Sequence, residues 1–281
     1  MTEKEQKMKY AYYAVRTPVN VSCVFHLVDL FEESTRYEQD WKLPFDLISL
    51  CIREDASDPS WIELPEKKIR LNYEENAIYF TTCDTPMRIR YTHANRHLCI
   101  HFRYEIFPGV DLFSGLHERY ALKDKLLAGK IREAFADEDP LRRLAKAEEA
   151  AMEVLVKFWP EHLPLDLKKA MEFEELFQYV RKNLDSRMGT AEMAARMGWS
   201  EAHFSRVFHS VFHITPKQYL VRELCARALK LLNDPGKNIK EIASLLGFSS
   251  EFNFSRFIKH YCGYAPSRLR KTASGPLYIR K

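Results

Sequence analysis

The sequence has no apolar run that reaches the roughly 18 residues of a membrane span. The segment Met1–Tyr10 is charged and has no apolar h-region, so it does not resemble a signal peptide. The six cysteines are scattered and include no CxxC pair, which favours reduced thiols over a disulfide framework. These absences predict a cytoplasmic protein with no membrane partner.

Several catalytic motifs are also missing. The sequence contains no nucleophile elbow, phosphate loop or metalloprotease helix. We therefore predict that the chain is not an enzyme and needs no cofactor. Its 281 residues predict two domains, and a composition of 46% hydrophobic and 29% charged residues is typical of a globular protein.

Charge is distributed unevenly along the chain. Residues 171–281 hold 18 Lys and Arg against 10 Asp and Glu, a net charge of +8. Residues 1–170 hold the remaining 25 and 29, a net charge of −4. A basic C-terminal part indicates a polyanionic partner there, although many solvated surfaces carry a similar excess.

The first part of the chain has the pattern of β-strands, which are short, rich in β-branched and aromatic residues, and separated by turn-like stretches such as Asp55–Ser60 and Thr82–Pro86. The clearest strands are Val21–Asp29, Ala77–Thr81, Met87–Tyr91 and His97–Phe102. Strands at such close spacing predict an antiparallel barrel or sandwich, which we assign to residues 1–115.

The hydrophobic period then becomes helical, and we assign residues 116–165 to a helical dimerisation or linker region. One candidate helix is Arg119–Glu133, and a stronger one is Asp139–Trp159. Its apolar stripe consists of Leu141, Leu144, Ala147, Ala151, Val154, Leu155 and Phe158. The stripe fits packing against the chain's own barrel and a homodimer interface equally well.

An internal repeat carries most of the functional information. The segment EMAARMGWSEAHFSRVFHSVF begins at Glu192, and EIASLLGFSSEFNFSRFIKHY begins at Glu241. The two segments align at an offset of 49 residues up to the Gly-aromatic-Ser turn, and at 50 residues after one insertion. A short unit that occurs twice is a duplication and not a solenoid.

Each copy has the features of a helix-turn-helix. A glycine, Gly198 or Gly247, follows the first helix where a left-handed residue turns the chain. Ser200 and Ser249 are expected to cap the second helices. Those helices place Phe204 and Phe208, or Phe254 and Ile258, inward at positions i and i+4. Pro216–Leu232 forms one long helix between the copies and fixes their spacing.

In such a unit the second helix enters the major groove of DNA, where its early residues meet base edges. A surface arginine on one helix would be unremarkable, but a Ser-Arg pair at matched positions in two copies favours DNA contact. The predicted DNA-binding residues are Ala202, Ser205, Arg206 and His209 in the first copy, and Glu251, Phe252, Ser255, Arg256 and Lys259 in the second.

Residues 173–271 resemble the AraC/XylS family of transcription regulators, most closely in GWSEAHFSRVF, TPKQYL, IKEIASLLGFSSEFNFSRFIK and GYAPSRLR. The resemblance implies an all-α domain with two helix-turn-helix units, assigned here to residues 166–281. It also implies promoter DNA and RNA polymerase as partners. The order of strands and helices before it is similar to that family's cupin-like sensor and dimerisation domain. Leu224 stands where the family usually has an arginine.

The β region contains candidate ligand residues. Trp41, Trp61, Tyr79, Tyr91, His93 and His101 could line a pocket for a sugar-like effector, or could simply fill the barrel. His97, Cys99 and His101 alternate along one strand and therefore share a face, where a metal could bind, in a cupin enzyme with Glu105 further on as an additional ligand. A metal needs about three convergent ligands, and the sequence offers no clear further set, so we predict no metal site.

The chain is predicted to have an α+β fold, with an N-terminal cupin-like β-barrel, a helical dimerisation segment, and a C-terminal all-α domain with two helix-turn-helix motifs. Its expected function is sequence-specific, ligand-controlled regulation of transcription as a homodimer. The alternative is a metal-dependent cupin enzyme fused to a DNA-binding module.

Overall fold

A computed structural model describes residues 24–33, 36–43, 45–232, 234, 236–262 and 265–271. In this part of the chain, strands occupy the region up to residue 122 and α-helices the region after it, so the α+β prediction is confirmed. The start of the predicted strand Val21–Asp29 lies outside the described residues. None of the helices in the described ranges is long and apolar enough to cross a bilayer.

The strands form two antiparallel sheets. In chain order they are β1 (Val24–Glu33), β2 (Tyr37–Trp41), β3 (Asp46–Arg53), β4 (Trp61–Leu64), β5 (Ile69–Asn72), β6 (Ile78–Thr81), β7 (Met87–Tyr91), β8 (Arg96–Phe107), β9 (Val110–Asp111) and β10 (Arg119–Leu122). The larger sheet has the order β1-β8-β3-β6-β10, with β9 beside β8. The smaller sheet has the order β2-β7-β4-β5.

Strand β3 of the larger sheet is buried on both faces, which explains why its sequence is almost continuously apolar. Leu47 and Cys51 point into a cluster enclosed between the two sheets. Ile48 and Leu50, which alternate with them, belong to the cluster on the helical side. A strand with two buried faces loses the alternation of apolar and polar residues that marks a half-exposed strand.

Ten helices follow in the described residues. They are α1 (Lys125–Ala136), α2 (Pro140–Lys157), α3 (Leu167–Met171), α4 (Glu174–Asn183), α5 (Thr190–Arg196), α6 (Glu201–Phe212), α7 (Pro216–Leu232), α8 (Ile239–Leu245), α9 (Glu251–Cys262) and α10 (Pro266–Lys271). Helix α7 has the bounds expected from the sequence. Asp124 and Asp139 cap α1 and α2 by accepting hydrogen bonds from backbone N–H groups.

The predicted helix Arg119–Glu133 is wrong in its first part. Arg119–Leu122 is strand β10, which pairs with β6, and the helix begins only at Lys125. The larger sheet therefore continues past residue 115, where the first domain was expected to end. Pairing with the edge of an existing sheet satisfies the backbone of this short segment.

The apolar stripe of α2 is divided between two environments. Its central and C-terminal members Ala147, Ala151 and Val154 are fully buried in the cluster that covers the larger sheet. Leu141 at its start is 76% exposed, and Leu144 is 36% exposed. Most of the stripe therefore packs against the chain's own fold, and only its first turn remains at the surface.

The β region and the helical region share one hydrophobic core. Phe107 at the end of β8 stacks on Phe177 of α4 with ring centroids 4.9 Å apart, and meets Phe212 of α6 edge-on at 6.5 Å. Arg222 of α7 forms an ion pair with Asp84, and both side chains are largely buried. Aromatic packing at α4 and α6 and an ion pair at α7 thus join the two regions.

Two carboxyl groups also meet at this junction. Glu105 of β8 accepts a hydrogen bond from the Gly109 backbone N–H, and the Glu223 side chain of α7 packs directly against Gly109. Burial raises the pKa of Glu223 to about 7, and the nearby Glu105 carboxylate adds to the rise. Glu223 is therefore protonated more readily in the folded chain than in the unfolded chain.

The pKa of Glu223 is raised to about 7 in the folded chain, so deprotonation of this side chain costs stability as the pH rises through that value. We therefore predict that the wild-type chain loses stability between pH 6 and pH 8. Glu223→Gln should remove about 1–2 kcal/mol of that loss. Urea unfolding at both pH values measures it, with the exposed Glu133→Gln as a matched control. Equal pH dependence in the wild type and Glu223→Gln would contradict the prediction.

Candidate nucleic-acid interface

The two copies of the repeat fold as two matching helix pairs. Helices α5 and α6 form the first pair, and α8 and α9 form the second. Each pair turns at a glycine with a positive φ angle, 70° at Gly198 and 74° at Gly247. A glycine adopts this left-handed conformation without the steric cost that a Cβ would add.

The second helix of each pair begins at a serine cap. The Ser200 hydroxyl accepts a hydrogen bond from the His203 N–H at 3.4 Å, and the Ser250 hydroxyl accepts one from the Asn253 N–H at 3.1 Å. The prediction that Ser249 is the cap is therefore wrong. The inserted residue precedes the cap, so the offset between the copies is already 50 residues at this position. Ser249 instead accepts a hydrogen bond from the Asn253 side chain.

Aromatic packing sets the orientation of each second helix. Phe204 and Phe208 of α6, like Phe254 and Ile258 of α9, are completely buried. The aromatic residue after each glycine packs beside this inward face, since Phe248 lies 5.3 Å from Phe254 between ring centroids. The inward positions predicted from the spacing are confirmed.

The outward faces of α6 and α9 match position by position. Glu201–Ser210 and Glu251–His260 have the same sequence of exposed, half-buried and buried residues. The predicted contact residues that are exposed are Ala202, Arg206, His209, Glu251, Phe252, Arg256 and Lys259, whereas Ser205 and Ser255 are half-buried. Phe252 is 68% exposed and is not part of the core.

Two further residues occupy the same exposed faces. His203 and Asn253 correspond at the offset of 50 residues, and both are exposed. The His203 ring lies 3.2 Å from an Nη atom of Arg206. Neither residue was among the contacts predicted from the sequence, and the two positions match in burial but not in residue type.

The charge on these faces is available for a partner. Arg206 and Arg256 form no ion pair within the described part of the chain. Glu201 and Glu251 lie in the first turns of α6 and α9, where the helix dipole favours negative charge. Each face therefore presents an unneutralised guanidinium one turn beyond an acidic N-terminus.

The candidate ligand residues of the β region separate into two groups. Tyr79, Tyr91 and His101 are buried between the sheets, and Trp41 packs at the edge of that cluster. Trp61 faces outward instead, with the Arg70 guanidinium 4.1 Å above its ring. His93 is at the surface, in a shallow polar depression that also contains the ion-paired Asp58 and Arg90.

His97, Cys99 and His101 all lie on β8 and are buried. Burial lowers the pKa of His101 to about 3, so the ring is neutral, and it packs on Phe45 at 4.4 Å between centroids. Within the described residues, these three side chains do not belong to a cluster of three potential metal ligands. The cluster that does exist consists of Asp46, Cys83 and Asp111.

Comparison with known proteins supports this interface. Residues 193–272 match the model of a helix-turn-helix domain family. The transcriptional regulator YidL of Escherichia coli K12 is 37% identical over 100 residues, which are 36% of this chain and 34% of YidL. LumQ of Photobacterium leiognathi, a probable transcriptional regulator, is 30% identical over 90 residues, 32% of this chain and 36% of LumQ. The chain spans about a third of the length of these two relatives.

A solved structure resembles the whole fold. ToxT from Vibrio cholerae strain SCE256, with an unsaturated fatty acid bound, superposes with a TM-score of 0.55 and 11% identity. The match covers 92% of this chain and 98% of that chain. At this identity the likeness establishes the arrangement of β-sheets followed by a helical domain.

The helix pairs and the matching family model define a helix-turn-helix domain in residues 193–272. The resemblance of residues 173–271 to the AraC/XylS family is confirmed for this domain, which is an AraC-type helix-turn-helix domain.

The two turns should differ in their tolerance of alanine. A Cβ at Gly247 would lie 2.9 Å from the Asp185 Cβ, whereas nothing lies within 4 Å of one at Gly198. We expect Gly198→Ala to cost about 1 kcal/mol for the left-handed conformation alone. Gly247→Ala should cost more because the backbone of Asp185 must also shift. Urea unfolding of both variants tests this, and equal losses would contradict the packing described here.

Proposed function

We propose that the protein regulates transcription by binding promoter DNA through α6 and α9 together. The observation that carries this proposal is the identical burial pattern of the two helices, which leaves matching polar faces at the surface. Helix α7 connects the two pairs in one continuous segment, so their relative position is fixed by a rigid element. Two linked units would then enter successive stretches of the major groove.

Arg206 and Arg256 are the proposed central contacts. A guanidinium pairs with the O6 and N7 atoms of guanine through two hydrogen bonds, or it holds a phosphate. Asn253 has the side-chain amide that pairs with adenine, and the exposed ring of Phe252 suits a thymine methyl group. The remaining proposed contacts are Ala202, Ser205, His209, Glu251, Ser255 and Lys259.

The β region is the proposed effector domain. Its two-sheet architecture supports a cupin-like sensor, and the tyrosines and histidines between the sheets offer hydrogen-bonding groups to a small molecule. ToxT, which has the same overall fold, is described with a bound unsaturated fatty acid. An effector acts only by binding one arrangement of the two domains better than another.

The proposed assembly is a homodimer. Leu141 and Leu144, at the exposed start of α2, offer the apolar surface for contact with a second copy. RNA polymerase is the further partner expected of a regulator that activates transcription. Both contacts are proposals from the family resemblance and the exposed positions.

The alternative of a metal-dependent enzyme requires a metal at His97, Cys99 and His101. Neutral, buried His101 suits a ligand, but a third convergent group is missing among the described residues. Elemental analysis of the purified chain and of the His97→Ala variant tests this alternative directly. Stoichiometric metal that is lost in the variant would favour the enzyme.

We predict that Arg206→Ala and Arg256→Ala each weaken binding to the operator by about 1–3 kcal/mol, because each removes a guanidinium that pairs with a base or phosphate. The measurement is fluorescence anisotropy with the full chain and its own upstream DNA. Arg88→Ala, which removes an exposed arginine of β7, is the matched control and should leave the affinity unchanged. Unchanged affinity in both helix variants would reject α6 and α9 as the recognition helices.

A further inference from the structure

An arginine lies inside the β-sandwich, and no counter-ion faces it among the residues that the structure describes. Arg119 is 6% exposed. It pairs in register with Thr81, and Ala121 pairs with Tyr79, which belongs to the cluster between the sheets. Because side chains alternate along a strand, Arg119 points to the same interior face as Tyr79.

The guanidinium is only partly satisfied. One Nη atom donates a hydrogen bond to the Thr81 hydroxyl. The Nε atom and the other Nη atom have no hydrogen-bond partner in the described part of the chain, where Arg119 also forms no ion pair. A buried charge without a partner costs several kcal/mol, so such a group is rare unless something else completes it.

Tyrosine rings surround the charge but cannot neutralise it. The guanidinium carbon lies 4.7 Å from the ring centroid of Tyr79 and 5.3 Å from that of Tyr73. Burial raises the pKa of both tyrosines, so their hydroxyl groups stay neutral and cannot act as counter-ions. The Tyr73 hydroxyl is in turn hydrogen-bonded to the Tyr91 hydroxyl at 2.8 Å.

Arg119 lies beside a junction of the two sheets that surface ion pairs bridge. Strands β5 and β10 are end strands of two different sheets. Two ion pairs bridge their ends, Lys67 with Glu118 and Lys123 with Glu74, and all four side chains are substantially exposed. Exposed ion pairs contribute only about 0–1 kcal/mol each, so this seam can separate at little cost.

We propose that the seam between β5 and β10 admits a small organic carboxylate, and that its carboxylate group pairs with the Arg119 guanidinium against the rings of Tyr73 and Tyr79. The free Nε and Nη donors form the fork that a carboxylate accepts through two parallel hydrogen bonds. This inference rests on the proposed effector domain and specifies the charge of its ligand. The proposed ligand is therefore an anionic molecule and not the sugar-like effector considered from the sequence.

The site also has a direct connection to the helices. Tyr120, the next residue on β10, points to the opposite face and stacks on Phe158 at 5.3 Å between centroids. Phe158 is the C-cap residue that follows α2. A ligand that shifts β10 would therefore disturb the packing at the C-terminal end of α2. Leu141 and Leu144 are exposed near the start of the same helix, so the helix connects them to the ligand site.

The first test needs no ligand and uses the full chain with Arg119→Met, which keeps the length of the side chain and removes its charge. If the guanidinium is unpaired in the protein, the variant should melt at a temperature higher by about 2–4 °C. The control is Arg70→Met, since Arg70 stacks on Trp61 at the surface and pairs with Glu63. A lower melting temperature for Arg119→Met would overturn the proposal, because Arg119 would then be paired within the chain.

The second test measures whether stabilisation by a ligand depends on the ligand's negative charge. Melting temperatures are recorded with increasing benzoate, with its neutral isostere benzamide, and with sodium chloride at equal ionic strength. We expect benzoate alone to stabilise the wild type and Arg70→Met saturably, and to lose that effect in Arg119→Met. Equal stabilisation by the neutral compound, no stabilisation, or stabilisation that survives in Arg119→Met would each overturn the proposal. Both tests are done without DNA, so they are independent of the operator measurement.

Discussion

The burial of two side chains one helical turn apart determines which face of each second helix is exposed to solvent. In α6 these are Phe204 and Phe208, and in α9 they are Phe254 and Ile258, all completely excluded from water. A helix with one face held in a core must present the opposite face to solvent. The exposed positions of Arg206 and Arg256 therefore follow from apolar packing and not from any interaction of the arginines themselves.

The same core extends beyond the helix-turn-helix domain. Phe107 carries it from β8 to Phe177 and Phe212, so the first helix pair is packed against the β region. Helix α7 contacts the β region as well, through the Arg222–Asp84 ion pair and through Glu223 at Gly109. The second helix pair lies beyond α7 in the chain. Any change in the β region thus reaches the first pair and the connecting helix directly.

The C-terminal half of the fold could be predicted closely from the sequence because its rules are local. The spacing of glycine and aromatic residues defined both helix pairs, and the bounds of α7 followed from Pro216 and the polar turn after Leu232. The Ser249 cap was wrong by one residue because the insertion between the copies could be placed on either side of it. A cap is identified only by the N–H group to which it bonds.

The β region could be predicted less well, since strand pairing depends on distant residues. Arg119–Leu122 has no strong strand pattern and becomes a strand only because β6 offers it an edge. Trp61 and Tyr79 were equivalent candidates in the sequence, yet one faces solvent under Arg70 and the other lies in the interior. Arg119 escaped notice because a lone arginine carries no pattern. Its importance appears only when its environment is known.

The most direct test of the account is the affinity of the full chain for its own upstream DNA and for a scrambled duplex, measured across a salt series. Recognition by two helices predicts saturable binding that prefers the upstream sequence and weakens steeply with salt as phosphate contacts are lost. Equal, weak binding to both duplexes would contradict it, because the matched faces of α6 and α9 would then have the shape of recognition helices without their specificity.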